Sequence, residues 1–434
     1  MTDVLNNSND ATTNHGRQNR GSNLLGVGQY NERLILQLIR RAGSLPKAEI
    51  ARTTKLSAQT VSVIINRLLR AKLLRKEPPQ REKGKVGQPA VPIALNPTGA
   101  YSIGVKIGRR SLEVLVIDFV GRAIERIGHR YNYPDPDRVF PIIEQDIATV
   151  TKKLSATQRE RIVGIGVAAP YGLGGWQQEF GAPKRVMARW HKIDIHQRVA
   201  AGQDLPVWFS NDATAAAIAE LEFGNTASFH HFLYVFVGTF VGGGVVLNGT
   251  LHTGPFDNAG AIGSMPVPAH YANDKNAEDH ARGGVAPVQL IRCASLYLLE
   301  DRLRHQRLDP GHVIDAISRG DDDELPRTAL TLFEDWLRQA AAAIACAITG
   351  AISVLDFEGI VIDGALPANL VARLTDAVDE ALNRMNLEGL THPQLRAGTI
   401  GNDARVLGGA ILPFYANFAP DRDVLLNVGA DTIR

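Results

Sequence analysis

The 434-residue sequence is poor in cysteine and lacks a hydrophobic segment long enough to span a membrane. Its two cysteines, Cys293 and Cys346, are too few for a disulfide framework, and both fall in segments with helical patterns. The most apolar stretch, residues 339–355, is short and rich in alanine, which favours a helix packed inside a globular body. The polar N-terminus lacks the apolar core of a signal peptide. We therefore expect a cytoplasmic protein with reduced cysteines and no membrane contact.

Net charge is nearly absent from the chain as a whole, but its distribution is uneven. The sequence has 47 Lys and Arg against 45 Asp and Glu, a formal net charge of +2. Residues 1–97 contain 16 basic against 6 acidic side chains, which leaves 31 against 39 for the remainder. A basic N-terminal module on an acidic body is typical of a protein in which one part meets phosphate. Taken alone, the charge also fits a solvated basic face without a ligand.

The pattern of residues 30–89 predicts a DNA-binding module. A short helix at 47–52 is followed by a tight connection and by a second helix from 58 to about 71, with Ser57 as its N-cap. Apolar residues recur in the second helix at helical spacing and form one stripe: Val61, Ile64, Ile65, Leu68 and Leu69. The opposite face carries the side chains predicted to contact base edges and phosphates: Gln59, Thr60, Ser62, Asn66, Arg67 and Arg70.

Two short strands and a basic loop extend this module into a winged helix-turn-helix. The strands are predicted at 73–76 and 91–95, and a helix at 31–41 completes the small core. Glycines in the intervening loop allow a close approach to a groove. The loop side chains predicted to contact DNA are Arg81, Lys83, Lys85 and Gln88. A flexible linker with scattered lysines is the alternative for the loop.

Beyond residue 97, strands alternate with helices in two series, which predicts two α/β lobes with a cleft between them. The last strand of the second series is expected at residues 398–400. The expected domains are a disordered polar tail (1–28), a winged helix-turn-helix domain (29–96), a first lobe (97–212) completed by a C-terminal helix (402–434), and a second lobe with dimerisation helices (213–401).

Three segments of the body are candidates for ligand binding. Asn211 and Asp212 follow a predicted strand and open a helix, which is where open α/β sheets bind ligands. Asp212 is a candidate base or an acceptor for a polyol hydroxyl, although either residue could simply cap the helix. The hairpin at 237–244, with Thr239, Gly242 and Gly243, and the loop at 258–265, with Ala261 and Ser264, are rich in small residues. Each is unspecific alone, because an ordinary turn has the same composition.

In order and spacing these segments resemble the ROK family, which groups bacterial sugar kinases with transcriptional regulators of one two-lobed, actin-like (ribonuclease H-like) fold. The resemblance covers residues 32–413. Its markers include Gly87-Gln88-Pro89, Leu95-Asn96-Pro97, Gly164-Ile165-Gly166-Val167, Asn211-Asp212-Ala213, Gly238-Thr239, Gly242-Gly243-Gly244, Ala259-Gly260, Ile262-Gly263, Gly401-Asn402-Asp403-Ala404 and Gly408-Gly409-Ala410. The kinases generally lack the DNA-binding module, so the resemblance implies the regulator branch.

The sequence departs from the family's kinases in the phosphate-binding turn. There Lys106 replaces an Asp, while Arg109 and Arg110 replace the second glycine and a Thr. Such a turn offers magnesium no acid and obstructs the approach of a nucleotide phosphate. The resemblance thus implies a member that is not an enzyme, although Asp212 matches the family's catalytic base.

Further departures affect the ligand. Ala261 and Ser264 replace the family's sugar-binding Glu and metal-binding His, and residues 266–284 contain no cysteine for the family's zinc. We therefore expect no metal and no cofactor. The ligand residues expected from the resemblance are Asn211, Asp212, Thr239, Gly242, Gly243, Ala261 and Ser264.

The combined expectation is a transcriptional regulator, most simply a repressor, that binds operator duplex DNA as a homodimer or homotetramer. A sugar or polyol effector would occupy the cleft between the lobes. The alternatives are an ATP-dependent sugar kinase with an added DNA-binding domain and a constitutive DNA-binding dimer without a ligand.

Overall fold

A helical N-terminal module precedes two lobes, each of which contains a five-stranded sheet. The computed structural model describes residues 24–79, 90–175, 182–226, 228–271 and 287–420. In the described part, no helix has the length and apolar character needed to cross a bilayer.

The N-terminal module is a winged helix-turn-helix. Its helices are α1 (Leu24–Ala42), α2 (Lys47–Thr54) and α3 (Ala58–Arg70). Its strands are β1 (Ser44–Pro46), β2 (Leu74–Lys76) and β3 (Pro92–Leu95), which form an antiparallel sheet in the order β1-β3-β2. The predicted N-cap of α3 is confirmed, because Ser57 Oγ accepts a 3.0 Å hydrogen bond from the Thr60 amide.

The helix α1 begins several residues earlier than the sequence pattern predicted. Residues 24–28 are helical, so the disordered tail predicted for residues 1–28 extends too far. This segment reads Leu-Leu-Gly-Val-Gly. Adding a turn to an existing helix costs far less than nucleating one, so even a glycine-containing segment can join it.

The first lobe holds a sheet in the order β6-β5-β4-β7-β8, in which the first three strands are antiparallel and the last three parallel. Its strands are β4 (Tyr101–Ile107), β5 (Ser111–Asp118), β6 (Ala123–Arg130), β7 (Ile162–Ala169) and β8 (Val207–Asn211). Its helices are α4 (Pro136–Lys153), α5 (Ala156–Arg159), α6 (Lys184–Met187) and α7 (Ile195–Ala200), and α8 (Asp212–Phe223) follows β8 directly.

The second lobe repeats this topology in the order β11-β10-β9-β14-β15. Its strands are β9 (Phe232–Val237), β10 (Val241–Leu247), β11 (Thr250–His252), the short pair β12 (Pro266–Val267) and β13 (Val288–Gln289), β14 (Gly359–Gly364) and β15 (Gln394–Ala397). Its helices are α9 (Ile291–Ala294), α10 (Leu296–His305), α11 (Pro310–Arg319), α12 (Arg327–Ile352) and α13 (Ala368–Leu382).

The strand predicted at residues 398–400 is wrong, since the last strand of this sheet is β15. The amides of Thr399 and Ile400 instead donate hydrogen bonds to the buried carboxylate of Glu220 in α8, at 3.1 and 3.3 Å. A side chain thus takes the donors that a sheet would use, which composition alone does not reveal.

The final helix, α14 (Ala404–Phe418), packs on α8 with almost no space between the backbones. A Cβ added at Gly408 would lie 1.9 Å from the Ala215 carbonyl oxygen of α8. On another face, a Cβ added at Gly166 of β7 would lie 2.0 Å from the Gly409 oxygen. The C-terminal helix predicted for residues 402–434 is shorter than expected: it ends at Phe418, because Ala419 is extended, and residues 421–434 lie outside the described part.

Gly408→Ala is therefore expected to lower the free energy of unfolding by about 1–3 kcal/mol, because the added methyl overpacks the contact between α14 and α8. Gly350→Ala in α12 is the matched control: its added Cβ meets nothing closer than Met265 Sδ at 3.5 Å, so the variant should be as stable as the parent or up to about 1 kcal/mol more stable. Scanning calorimetry of both variants tests this. Equal melting temperatures for the two would contradict the packing described.

Candidate ligand cleft and DNA-binding surface

A cavity of about 150 Å³ lies between elements of the two lobes. The first lobe contributes the ends of β7 and β8, and the second contributes the β9–β10 hairpin and the loop after β11. All the residues expected to hold a ligand line this cavity: Asn211, Asp212, Thr239, Gly242, Gly243, Ala261 and Ser264. The fold thus brings the predicted ligand residues of three separate segments to one cavity.

Asn211 and Asp212 divide the two roles that the sequence left open for them. Asn211 is the N-cap of α8, since its Oδ1 accepts a 2.9 Å hydrogen bond from the Ala213 amide. Asp212 faces a cation instead: its Oδ2 lies 3.6 Å from Nη1 of Arg405, and its side chain is 13% exposed. Asn211 is therefore the helix cap, and Asp212 is the residue whose carboxylate lies at the cavity.

The glycines of the hairpin serve packing between lobe elements. A Cβ added at Gly242 would lie 2.7 Å from the Ala213 Cβ, and one at Gly244 would lie 2.6 Å from the Ala217 Cβ, so β10 rests directly on α8. Gly260, with φ +82°, in turn lies against the backbone of Gly244. This close layering brings the loop with Ala261 and Ser264 to the cavity wall.

A charge network occupies the turn between β4 and β5, which the resemblance identified with the phosphate-binding turn of the kinases. Lys106 Nζ donates to Ser111 Oγ at 2.6 Å and to Glu113 Oε1 at 2.7 Å. Arg126 pairs with the same Glu113 and with Asp403, at 2.8 Å from Asp403 Oδ1. Burial lowers the pKa of Lys106, as does the nearby Arg405, while Glu113 opposes both. Both carboxylates are thus already engaged with cations of this chain.

The two arginines of this turn have different surroundings. Arg109 is 7% exposed, donates to the Leu173 and Gly175 carbonyl oxygens, and lies 4.5 Å from the centre of the Phe240 ring at the cavity. Arg110 does not line the cavity, and its buried Nε has no hydrogen-bond partner among the described residues.

Arg405, near the start of α14, is a cavity residue that the sequence analysis missed. Its guanidinium lies 4.9 Å from the centre of the Phe236 ring and beside Asp212. One signal for it was available in the sequence. Arg405 directly follows the marker Gly401-Asn402-Asp403-Ala404 and lies in the first turn of the same helix.

The outer face of α3 presents the predicted DNA-contacting side chains. Gln59, Asn66, Arg67 and Arg70 are exposed, and Thr60 and Ser62 are half-buried. The Thr60 hydroxyl lies 2.8 Å from Ser57 Oγ, and Arg67 forms an ion pair with Glu32 of α1. Val63, which is 62% exposed on this face, was missed and is suited to a thymine methyl group. The predicted wing residues Arg81, Lys83, Lys85 and Gln88 lie outside the described residues.

The helix α1 joins the DNA-binding domain to the body through a buried carboxylate. Gln37 Nε2 donates to Glu222 Oε1 at 2.6 Å, and Arg40 Nε lies 3.8 Å from Glu222 Oε2. Arg40 also donates to the Phe119 carbonyl oxygen at 2.9 Å and lies over the Phe119 ring. Burial lowers the pKa of Arg40, and Glu222 counteracts this. Glu222 belongs to the last turn of α8, whose first residue is Asp212 in the cavity.

These features define a class: a winged helix-turn-helix domain attached to a two-lobed body of the sugar-kinase fold. The model of the ROK family matches residues 102–414, and the model of the MarR family matches residues 29–83. The chain therefore belongs to the ROK family, and it has the domain arrangement of that family's transcriptional regulators. The resemblance inferred from the motifs and the predicted fold class are both confirmed.

Individual proteins resemble the chain at low identity. An uncharacterized protein of Sinorhizobium fredii is 25% identical over 397 residues, which cover 89% of this chain and 91% of that protein. A xylose repressor of Bacillus spizizenii is 24% identical over 241 residues, 56% of this chain and 61% of the repressor. The crystal structure of a ROK family transcriptional regulator, described as a homologue of the E. coli Mlc protein, covers 93% of this chain and 98% of its own at 18% identity and a TM-score of 0.63.

The pairing of Glu113 predicts a pH dependence of stability. Burial opposes its ionisation, but Lys106 and Arg126 outweigh this and lower its pKa. A lowered carboxyl pKa contributes stability above the unfolded-state value of about 4.3, and that contribution is lost as the pH falls through the folded-state value. Glu113→Gln should therefore lose less melting temperature than the parent between pH 6 and pH 3. Glu334→Gln, which breaks the exposed pair with Arg373, is the control and should follow the parent.

Proposed function

We propose that the protein is a ligand-responsive repressor. Its α3 helix binds operator DNA in the major groove, and a sugar or polyol in the cavity changes its DNA affinity. A relative named xylose repressor supports a sugar-type effector. We further propose that it acts in the cytoplasm as a homodimer or homotetramer through helices of the second lobe, which would present two recognition helices to half-sites about one DNA turn apart.

The observation that carries the proposal is the position of α8. Its N-terminus lines the cavity with Asp212, and its last turn holds α1 of the DNA-binding domain through Glu222. The helix has 12 residues, which corresponds to a length of about 18 Å. A ligand that moves Asp212 therefore moves the contact on which α1 rests.

The charge of the N-terminal module and the exposed face of α3 support the DNA-binding part. The N-terminal 97 residues are strongly basic, and the outer face of α3 offers Gln59 and Asn66 for base edges and Arg70 for phosphate. Arg67 pairs with Glu32, so it would reach phosphate only by exchanging that partner. The ion pair also stabilises the orientation of α3 on α1.

Binding to the DNA upstream of its own gene is expected to weaken steeply with salt, because basic side chains displace counterions from phosphate. Arg70→Ala should weaken binding to all sequences similarly and reduce the slope of log affinity against log salt by about 1. Gln59→Ala should cost about 1–3 kcal/mol on the operator and relax specificity at one position. Fluorescence anisotropy titrations measure both, with Arg338→Ala on α12 as the control. Specific binding that ignores salt would refute this assignment.

Glu222→Ala is expected to uncouple the cavity from the DNA-binding domain, since it leaves Arg40 and Gln37 without their common acceptor. Ligand and DNA should each still bind, but the effect of one on the other, about 1–3 kcal/mol in the parent, should disappear. Calorimetric titration of ligand with and without DNA measures this coupling. Gln37→Ala should reduce it in the same direction, and Glu334→Ala should preserve it. Full coupling in Glu222→Ala would rule out this route.

A sugar kinase with an added DNA-binding domain is the second candidate, favoured by Asp212 in the cavity. Against it stands the engagement of Lys106, Glu113 and Arg126 with one another, which leaves the turn without a free acid for magnesium. We therefore propose that phosphoryl transfer does not occur. ATP turnover that depends on a sugar and is abolished in Asp212→Asn would favour the kinase. A constitutive DNA-binding dimer, the third possibility, would show no response to any ligand.

A further inference from the structure

The charged residues of the cavity include more cations than anions. Among the described residues that line it, the guanidinium groups of Arg109 and Arg405 stand against the single carboxylate of Asp212. Both cations are withdrawn from water: Arg109 is 7% exposed, and the Arg405 side chain is 14% exposed. In such surroundings, electrostatic attraction to a bound anion is far stronger than at the surface.

Arg405 retains donor capacity for such a ligand. A guanidinium carries five N–H donors and no acceptor. Its ion pair with Asp212 is a single contact of 3.6 Å, longer than a charge-assisted hydrogen bond, and its Nε is buried with no hydrogen-bond partner in the described part of the chain. The guanidinium of Arg405 packs 4.9 Å from the centre of the Phe236 ring, as that of Arg109 packs 4.5 Å from the centre of the Phe240 ring. A planar donor group held in this way suits a carboxylate or phosphate, which accepts two parallel hydrogen bonds.

A neutral sugar would form weaker hydrogen bonds with these guanidinium donors than an anion would. A hydroxyl is a weaker acceptor than an ionised oxygen, and it cannot form the two parallel hydrogen bonds that a guanidinium makes with a carboxylate or phosphate. The electrostatic surroundings agree: Arg405 lowers the pKa of the buried Lys106, second only to burial itself, so the positive potential of Arg405 extends to the neighbouring turn.

We propose that the effector is an anionic monosaccharide derivative, a sugar acid or a sugar phosphate, whose anionic group binds Arg405 and Arg109 while its hydroxyls face Asp212 and Thr239. This inference rests on the effector role proposed above for the cavity. The volume of about 150 Å³ lies below the roughly 300–1,000 Å³ of sites for drug-sized ligands, which favours a monosaccharide over a nucleotide.

The test is calorimetric titration of the full-length protein with matched sets of five- and six-carbon compounds: neutral aldoses, the corresponding aldonates and the corresponding sugar phosphates. At least one acid or phosphate should bind tenfold or more tightly than its neutral counterpart. Whether aldonate or phosphate is preferred identifies the source of the negative charge. Arg405→Gln should remove most of that preference, so that the anion and its neutral counterpart bind with similar affinity. Arg198→Gln is the matched control, because Arg198 also lies over a phenylalanine ring and pairs with a glutamate, outside the cavity.

The outcomes separate this inference from the proposed function. If a neutral sugar binds as tightly as its acid and phosphate and still changes DNA affinity, the regulator remains and the anionic effector is excluded. A preference for the anion that survives in Arg405→Gln also overturns the inference. If no member of any set binds, the effector role of the cavity fails, and the inference fails with it.

Discussion

The buried carboxylate of Glu222 is the contact on which the arrangement of the domains depends. It is 2% exposed, and its partners Gln37 and Arg40 come from a helix 185 and 182 residues away in sequence. A buried charge is tolerated only when it is paired, so α1 must keep the register that presents both partners to it. The same helix donates from Arg33 to the Ala419 oxygen and from Arg41 to the Gly249 oxygen, which attaches it to α14 and to the second lobe.

The helix α8, which carries Glu222, is tightly packed against its neighbours. The helix α8 has α14 against one side, with Gly408 on the Ala215 oxygen, and β10 against another, with Gly242 and Gly244 on Ala213 and Ala217. Glu220, in the C-terminal part of α8, accepts hydrogen bonds from the amides of Thr399 and Ile400, which precede α14. A helix packed tightly on several faces resists bending, and this is the property that the proposed coupling between Asp212 and Glu222 requires.

Local signals in the sequence predicted much of the fold. Alternating apolar residues located most of the strands, and Ser57 located the start of α3, because caps and periodicity act over a few residues. The order of the motifs identified the cavity wall, including Asn211 and Asp212. Contacts between distant segments could not be predicted. The residues around Arg405 give no sign that it pairs with Asp212, and those around Glu222 give no sign that it binds Gln37. The hydrogen bonds that Glu220 accepts likewise replace a strand that the composition had predicted. These pairings exist only after the chain has folded.

The charge network at the first turn also constrains how this sequence can change. A Lys106→Asp substitution, toward the acid of the ROK kinases, would place a second carboxylate beside Glu113 and remove one of the two cations that neutralise it. Arg126, which also pairs with Asp403, would then be the remaining cation of the network. Like charges placed next to each other oppose folding, so the Lys106→Asp substitution alone would lower the stability of the protein. Several positions of this turn would therefore have to change together before it could present a free acid.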